Sequence, residues 1–478
     1  MIASFRDPAG RLLFVDGRVV RVIQPAAAAE LKAVLTSGEI KNFLAKGKLV
    51  RTETLDVDAS EKLSARPEVR AVLEDFGPHV FVEHERIPFA TFPYEWPPEM
   101  LYAAAGLTLD IAERLLPEGF GLKDATPYNI LFRGPDGVFI DLLSFERRDP
   151  LDQTWLPYAQ FSRTFLLPLL VNKKFGVKLD QIFLAKRDGL DPEEVAQLCG
   201  PIQSIRPPFL SLVTLPVRLS GRALANDTAV YQTHRASSRD KAQFILGRIF
   251  KTLRRQLERL RPTVERTSVW SRYTEQNRYT DDYQPNKQRF VEEAMAATGP
   301  RRVLDVGCNT GDFSALAARS GASVVAIDYD PVVVGRLWHR AVTEKLDILP
   351  LAVNLARPTP SLGWRNLENP SFIERFRGRF EGVLMLAVLH HLLVSERIPL
   401  PEVMRLAADL TTDLLVIEFV APDDPMFRRI ARGRDHLHES LTREYFEEVA
   451  RRYFEIERAE RLGDTHRTIY MLRRKPIA

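Results

Sequence analysis

Cysteine is scarce. Cys199 and Cys308 are the two in 478 residues, and they lie far apart without metal-ligand spacing. That excludes a disulfide framework and a thiolate zinc site, and it reads as two buried thiols in a reducing compartment. An excess of either charge is also missing: Lys+Arg 67 stands against Asp+Glu 63, a formal net of +4. So even a balance supplies no field for nucleic acid, and no nucleic-acid partner is expected. Long apolar runs are missing too. FLLPLLV (165–171) is broken by Pro168, and VLMLAVLHHLLV (383–394) contains a histidine pair, so no membrane span is expected. The opening MIASFRDPAGRLLF has neither the basic start nor the apolar core of a signal peptide, which sets the expectation of a cytoplasmic protein. No internal repeat or low-complexity tract stands out.

What is there is a chain too long for a single core, with 45% hydrophobic and 27% charged residues. The first 150 residues open strand-rich: RLLFVDGRVVRVI (11–23) carries a DG turn between β-branched runs, a hairpin signal. AAAAELKAVLTS (26–37) reads as a helix, LVRTETLD (49–56) and HVFVEHERI (79–87) as strands, and residues 99–117 as a second helix. Strands first and helices later predict an α+β domain over 1–150. A helical, proline-rich region over 151–262 completes or links it. Within that region, residues 241–260 place apolar side chains at 245, 249, 253, 257 and 260 opposite a basic face. The expectation is a helix that packs its stripe on a neighbour and solvates its charges. Residues 263–478 alternate short Val/Ile/Leu runs with helical segments, which predicts a Rossmann-like, doubly wound parallel sheet.

The sharpest stretch is VLDVGCNTGDFS (303–314). A buried strand ends in Asp305, and Gly307, Asn309 and Gly311 turn the chain into a helix. Glycines there let the backbone approach a ligand at the switch point of an open α/β sheet. The spacing is not G-x-G-x-x-G, and acidic Asp312 opens the helix, so a pyrophosphate is disfavoured. A ligand with a cationic amino-acid end and a ribose suits the turn. Asp328, ending the next strand, is placed to accept from both ribose hydroxyls.

DVGCNTG followed by VVAIDYD resembles the class I S-adenosylmethionine (SAM)-dependent methyltransferases, over roughly residues 280–475. The resemblance implies a seven-stranded sheet with SAM as cofactor. Asp305, Gly307, Asn309 and Gly311 would then hold the methionine end, Asp328 the ribose, and Asn354 would lie beside the adenine. LHHLLVSERIPL, LGWRNLE and LLVIEFV add a resemblance to large bacterial methyltransferases related to a nodulation host-specificity protein. His390 and His391 are candidate general bases for an O- or N-acceptor, since histidine titrates near neutrality. Glu418, ending the following strand, is a candidate for orienting the acceptor. Each also has a plain reading, as a strand-end cap or a solvated terminus. Tyr279, Asp281, Asp282 and Tyr283 form either a lid or a polar loop. The acceptor is open between a small molecule, a saccharide, a lipid and a protein.

LKDATPYNILF (122–132) holds Asp124 and Asn129, and Asp141 follows in VFIDLLSF. These resemble the catalytic loop and metal aspartate of protein kinases and aminoglycoside-kinase-like enzymes, with Asp124 as base and Asn129 and Asp141 as metal ligands if active. There are departures. Leu122 and Lys123 replace the usual residues before the Asp, LL follows Asp141, no glycine-rich loop is present, and Arg21 is the nearest counterpart of the phosphate-binding lysine. The resulting expectation is a SAM-dependent methyltransferase with a kinase-like scaffold that selects the acceptor, and no resident metal. The alternative is a phosphotransferase using Mg-ATP with a regulatory SAM-binding domain. A polar turn capped by Asp124 and Asn129 is the plainest reading.

Overall fold

The computed structural model describes residues 2–4, 6–74, 76–223, 234–263, 267–268 and 283–476. The chain divides into two compact units: Met1–Pro262 with Gly363–Asn369, and Thr263–Leu362 with Pro370–Ala478.

In the first unit, the Asp16-Gly17 turn joins β2 (Gly10–Val15) to β3 (Arg18–Ile23). Both turn residues have positive φ, 48° and 77°, as a tight hairpin turn requires. With β1 (Ile2–Ser4), β4 (Thr52–Thr54) and β5 (Val80–His84) they form an antiparallel sheet in the order β1-β2-β3-β5-β4. Val20, Val22 and Phe81 anchor its buried face. The strand expected over 49–56 shrinks to three residues, because β4 is an edge that pairs with β5 alone. The expected helices are present as Pro25–Leu35 and Pro98–Leu115. Two small antiparallel pairs follow: β6 (Phe120–Leu122) with β9 (Phe145–Arg147), and β7 (Ile130–Arg133) with β8 (Asp136–Phe139).

The basic helix runs Arg239–Arg259. Its buried row is Leu246, Phe250, Leu253 and Leu257, with Ile245 and Ile249 half-buried on the flank. A strict four-residue row drifts about 40° per step around a 3.6-residue helix, so the stripe through 245 and 249 leaves the contact face. The basic side is partly paired: Arg254 donates to Asp110 and Glu113 of the Pro98–Leu115 helix, at 2.7 Å each.

The second unit is built on a seven-stranded sheet in the order β12-β11-β10-β13-β14-β16-β15. Its strands are β10 (Arg302–Val306), β11 (Ser323–Asp328), β12 (Ile348–Ala352), β13 (Phe380–Met385), β14 (Thr411–Val420), β15 (Phe454–Arg461) and β16 (Arg467–Arg474). The first five are parallel, and β16 runs antiparallel to β14 and β15. Successive crossovers leave β10 in opposite directions, to β11 and then to β13, which opens a crevice at its C-terminal end. β10 and β13 are buried almost throughout, as strands covered on both faces must be, while β15 at the edge has Phe454 buried and then alternates half-buried and exposed residues.

Candidate functional site

β10 delivers Asp305 to that crevice. The chain then turns through Gly307, Asn309 and Gly311, with φ of 72°, 48° and 82°, into the helix Asp312–Arg319. Asparagine tolerates the left-handed conformation, which explains the middle position. At Gly311 a Cβ would lie 2.2 Å from Leu337 Cδ1, so a side chain would hold the turn off the next helix.

The turn forms one wall of a cavity of about 440 Å³. Asp305, Gly307, Asn309, Gly311, Asp328 and Asn354 all line it, so the residues singled out for the cofactor share one hollow. Asp305 is 3% exposed and accepts from Ser314 Oγ at 2.5 Å. Asp328 accepts from the backbone N–H of Asn309 at 3.1 Å and of Asp330 at 3.0 Å. Burial pushes both carboxyls up to about 6, against these hydrogen bonds. A ligand carrying an ammonium group and vicinal hydroxyls would supply the cation and donors that two desolvated carboxylates need, so these residues fit SAM.

The two histidines separate. His391 lines the cavity; burial first and Arg467 second lower its pKa to about 4, so the ring is neutral at pH 7. His390 is 1% exposed, sits 4.3 Å ring to ring from His391 and does not line the cavity. Burial, then His391, holds it well below the ordinary histidine value.

Glu418 lies one layer behind the cavity, completely buried. Lys287 Nζ stands 2.7 Å from its Oε2, and Tyr283 Oη and Arg467 Nη1 donate to Oε1 at 2.7 and 3.1 Å. Burial pushes the carboxyl up, but Lys287 and Arg467 outweigh it and hold it at about 2. Arg467 continues to Asp424 at 2.8 Å, closing a buried ionic network. Glu418 is therefore a solvated terminus in neither position nor charge. Tyr283, read as part of a lid or loop, opens the helix Tyr283–Thr298 and is buried. Tyr279, Asp281 and Asp282 lie outside the described residues. Lys287, Ser314 and Arg467 escaped the sequence reading: in a helix or an edge-proximal strand, a lone polar residue carries no signal of being buried.

In the first unit, Asp124 follows β6, Asn129 precedes β7 and Asp141 follows β8. Burial raises the Asp124 pKa, Gln160 opposes it, and the charge of Asp141 adds to the rise. Asn129 donates to Ser144 Oγ at 3.4 Å. Arg21 of β3 donates to Asp141 Oδ1 at 2.8 Å, across a largely buried ion pair.

A family model described as a methyltransferase domain matches residues 253–461. Over 475 residues the chain is 30% identical to the nodulation protein NoeA of Rhizobium meliloti (strain 1021), covering 98% of this chain and 95% of that protein. The chain belongs to the NoeA family and is a SAM-dependent methyltransferase. Solved structures similar to it include the N-methyltransferase NodS from Bradyrhizobium japonicum WM9 with S-adenosyl-l-homocysteine (SAH), at 13% identity over 44% of this chain and 100% of that chain, TM-score 0.31. The bifunctional kinase-methyltransferase WbdD is similar at 20% identity over 40% of this chain and 39% of that chain, TM-score 0.28.

Proposed function

We propose that the 440 Å³ cavity holds SAM through Asp305 and the Gly307–Gly311 turn at the methionine end, Asp328 at the ribose and Asn354 beside the adenine. The observation that carries this reading is the pair of desolvated carboxylates facing one hollow at the switch point. Bound there, SAM supplies an activated methyl group for transfer to an O- or N-nucleophile. The chain's own part is mainly positioning. The turn fixes one end of the ligand, the strand-end carboxylate fixes the middle, and the acceptor is aligned on the β13 side. His391 is neutral and faces the cavity, so it is the group that would take a proton from the acceptor. A conjugate acid near 4 makes it a weak base, suited to a nucleophile that loses its proton as the bond forms. His390 supports the His391 ring, and Glu418 with Lys287, Arg467 and Tyr283 stiffens the floor. Calorimetry with SAH tests the reading: Asp328→Ala should weaken binding at least about 50-fold, as loss of a buried charged hydrogen-bond acceptor implies. Unchanged affinity would refute it.

For the first unit we infer a kinase-derived scaffold that takes part in selecting the acceptor. Its support is the five-stranded sheet followed by β6–β9 and β7–β8 pairs, with Asp124, Asn129 and Asp141 at their ends. The Arg21 guanidinium already engages the Asp141 oxygen that a magnesium ion would need, which favours a scaffold over a phosphotransferase. The survival of all three residues is what favours the second reading, an active Mg-ATP site.

A further inference from the structure

A second cavity, of about 1070 Å³, adjoins the first and shares His391 and Ser395 with it. Its walls come from the turn after β13, the helix Pro425–Ala431 and the segment leading to the helix Arg443–Arg451. Two features set it apart. Arg397, Arg429, Arg432 and Arg434 line it, and among the described residues no carboxylate does. Among the described residues none of these four arginines makes an ion pair. Elsewhere in this unit exposed or half-buried arginines commonly find acids: Arg302 with Glu381, Arg319 with Glu344, Arg443 with Glu447 and Arg473 with Asp413. Three unpaired guanidiniums within six residues repel one another, and an anion relieves that repulsion. Two of the four, Arg397 and Arg432, also hold left-handed backbone, with φ of 56° and 51°. Strain of this kind gathers where a site fixes a side chain's direction.

The remainder of the cavity is largely apolar. Met426, Ile430 and Tyr445 line it, with Leu437 63% exposed at its edge. The volume is at the upper end of what a small organic ligand occupies. Guanidinium forks grip planar or tetrahedral oxyanions through paired hydrogen bonds.

We propose that this second cavity is the acceptor site, and that the acceptor is a small organic anion whose carboxylate or phosphate is held by Arg429, Arg432 and Arg434 while its nucleophile lies against His391. The proposal rests on the first cavity being the SAM site. In the transfer, an acceptor oxygen or nitrogen lone pair forms the bond to the methyl carbon. The carbon–sulfur bond breaks with its pair staying on sulfur, and the acceptor proton passes to His391. The anionic group is separate from the nucleophile, so the product keeps its charge.

Calorimetry on the full chain tests this, with SAH present and 1-naphthyl phosphate, 1-naphthoate and neutral 1-naphthol as probes. At least one anion is expected to bind tenfold or more tightly than naphthol, and the stronger of the two tells phosphate from carboxylate. The doubly substituted Arg429→Gln/Arg434→Gln protein should lose at least tenfold of that anion affinity, while SAH and naphthol binding and the thermal midpoint stay unchanged. Equal binding of the three probes, or anion binding indifferent to the arginines, would overturn the proposal and leave the SAM site standing. Failure of SAH itself to bind would overturn both. As a second readout, tritium transferred from labelled SAM into a cell extract should be retained on an anion exchanger. Label passing through unretained would overturn the acceptor class.

Discussion

Asp305 and Asp328 are costly residues to bury, and their cost sets a pH dependence. Each carboxyl is raised to about 6 from an ordinary 3.8. Without ligand, their contribution to stability is therefore present below pH 4 and is lost as pH rises through 6. A cationic ligand needs the ionised forms, so the sign reverses for binding. SAH affinity should be flat above pH 7 and fall below pH 6, by up to about tenfold per pH unit for each carboxylate that must ionise. Calorimetry between pH 5 and 8 in buffers of different ionisation heat would show the proton release. An affinity independent of pH would contradict it. Glu418 behaves in the opposite way: held at about 2, it contributes stability that persists above the ordinary carboxylate value and is lost as pH falls through 2. Glu418→Gln leaves Lys287 as a buried, uncompensated cation and Arg467 with Asp424 alone. Urea unfolding should then show a loss of about 3–5 kcal/mol, with SAH affinity reduced less than in Asp328→Ala.

At the scale of elements, the strand–turn–helix from β10 to Asp312–Arg319 is legible in the sequence. Its glycines, its asparagine and its terminal acid each have one conformational use. Gly311 and Gly321 bracket the helix and separate two costs. Both have positive φ, 82° and 95°, but a Cβ at Gly311 meets Leu337 while one at Gly321 meets nothing within 4 Å. Gly321→Ala should cost about 1 kcal/mol of backbone strain. Gly311→Ala should cost about 2–4 kcal/mol and weaken SAH binding as well, because strain and overpacking add. Thermal denaturation of the two variants side by side checks this, and equal losses would mean that the close approach to Leu337 is unimportant. The basic helix Arg239–Arg259 was legible as a helix, and Leu253, Leu257 and Leu260 of its expected stripe are buried, but in its first half the buried row is Leu246 and Phe250 rather than Ile245 and Ile249. Which of two adjacent apolar rows faces inward depends on the neighbour it meets.

At the scale of the molecule, two units carry two unequal signals. The second has the methyltransferase-domain match over residues 253–461, a switch-point cavity and an adjoining cationic cavity. The first has three residues at the ends of three strands and an arginine already seated on one of them. If it is a scaffold, Mg-ATP should give no saturable heat in calorimetry up to the millimolar range, and Asp141→Ala should leave SAH affinity within about twofold of wild type. Saturable Mg-ATP binding that Asp141→Ala abolishes would favour the phosphotransferase reading. Arg21→Ala then becomes informative, since it frees Asp141 of its ion pair.

By itself the sequence determined the local grammar: the Asp16-Gly17 hairpin, the alternation of apolar strands and helices after residue 300, and the acid–glycine turn with a second acid one strand later. Those features are local because turn conformations and strand periods are set by a few neighbouring residues. Only the tertiary structure decided which polar groups are buried together. Lys287, Glu418, Arg467 and Asp424 come from three separate stretches and meet only when β14 with the segment after it, β16 and the helix before β10 pack. The different placement of His390 and His391, adjacent in sequence, was decided the same way, because burial is a property of what surrounds a side chain in space.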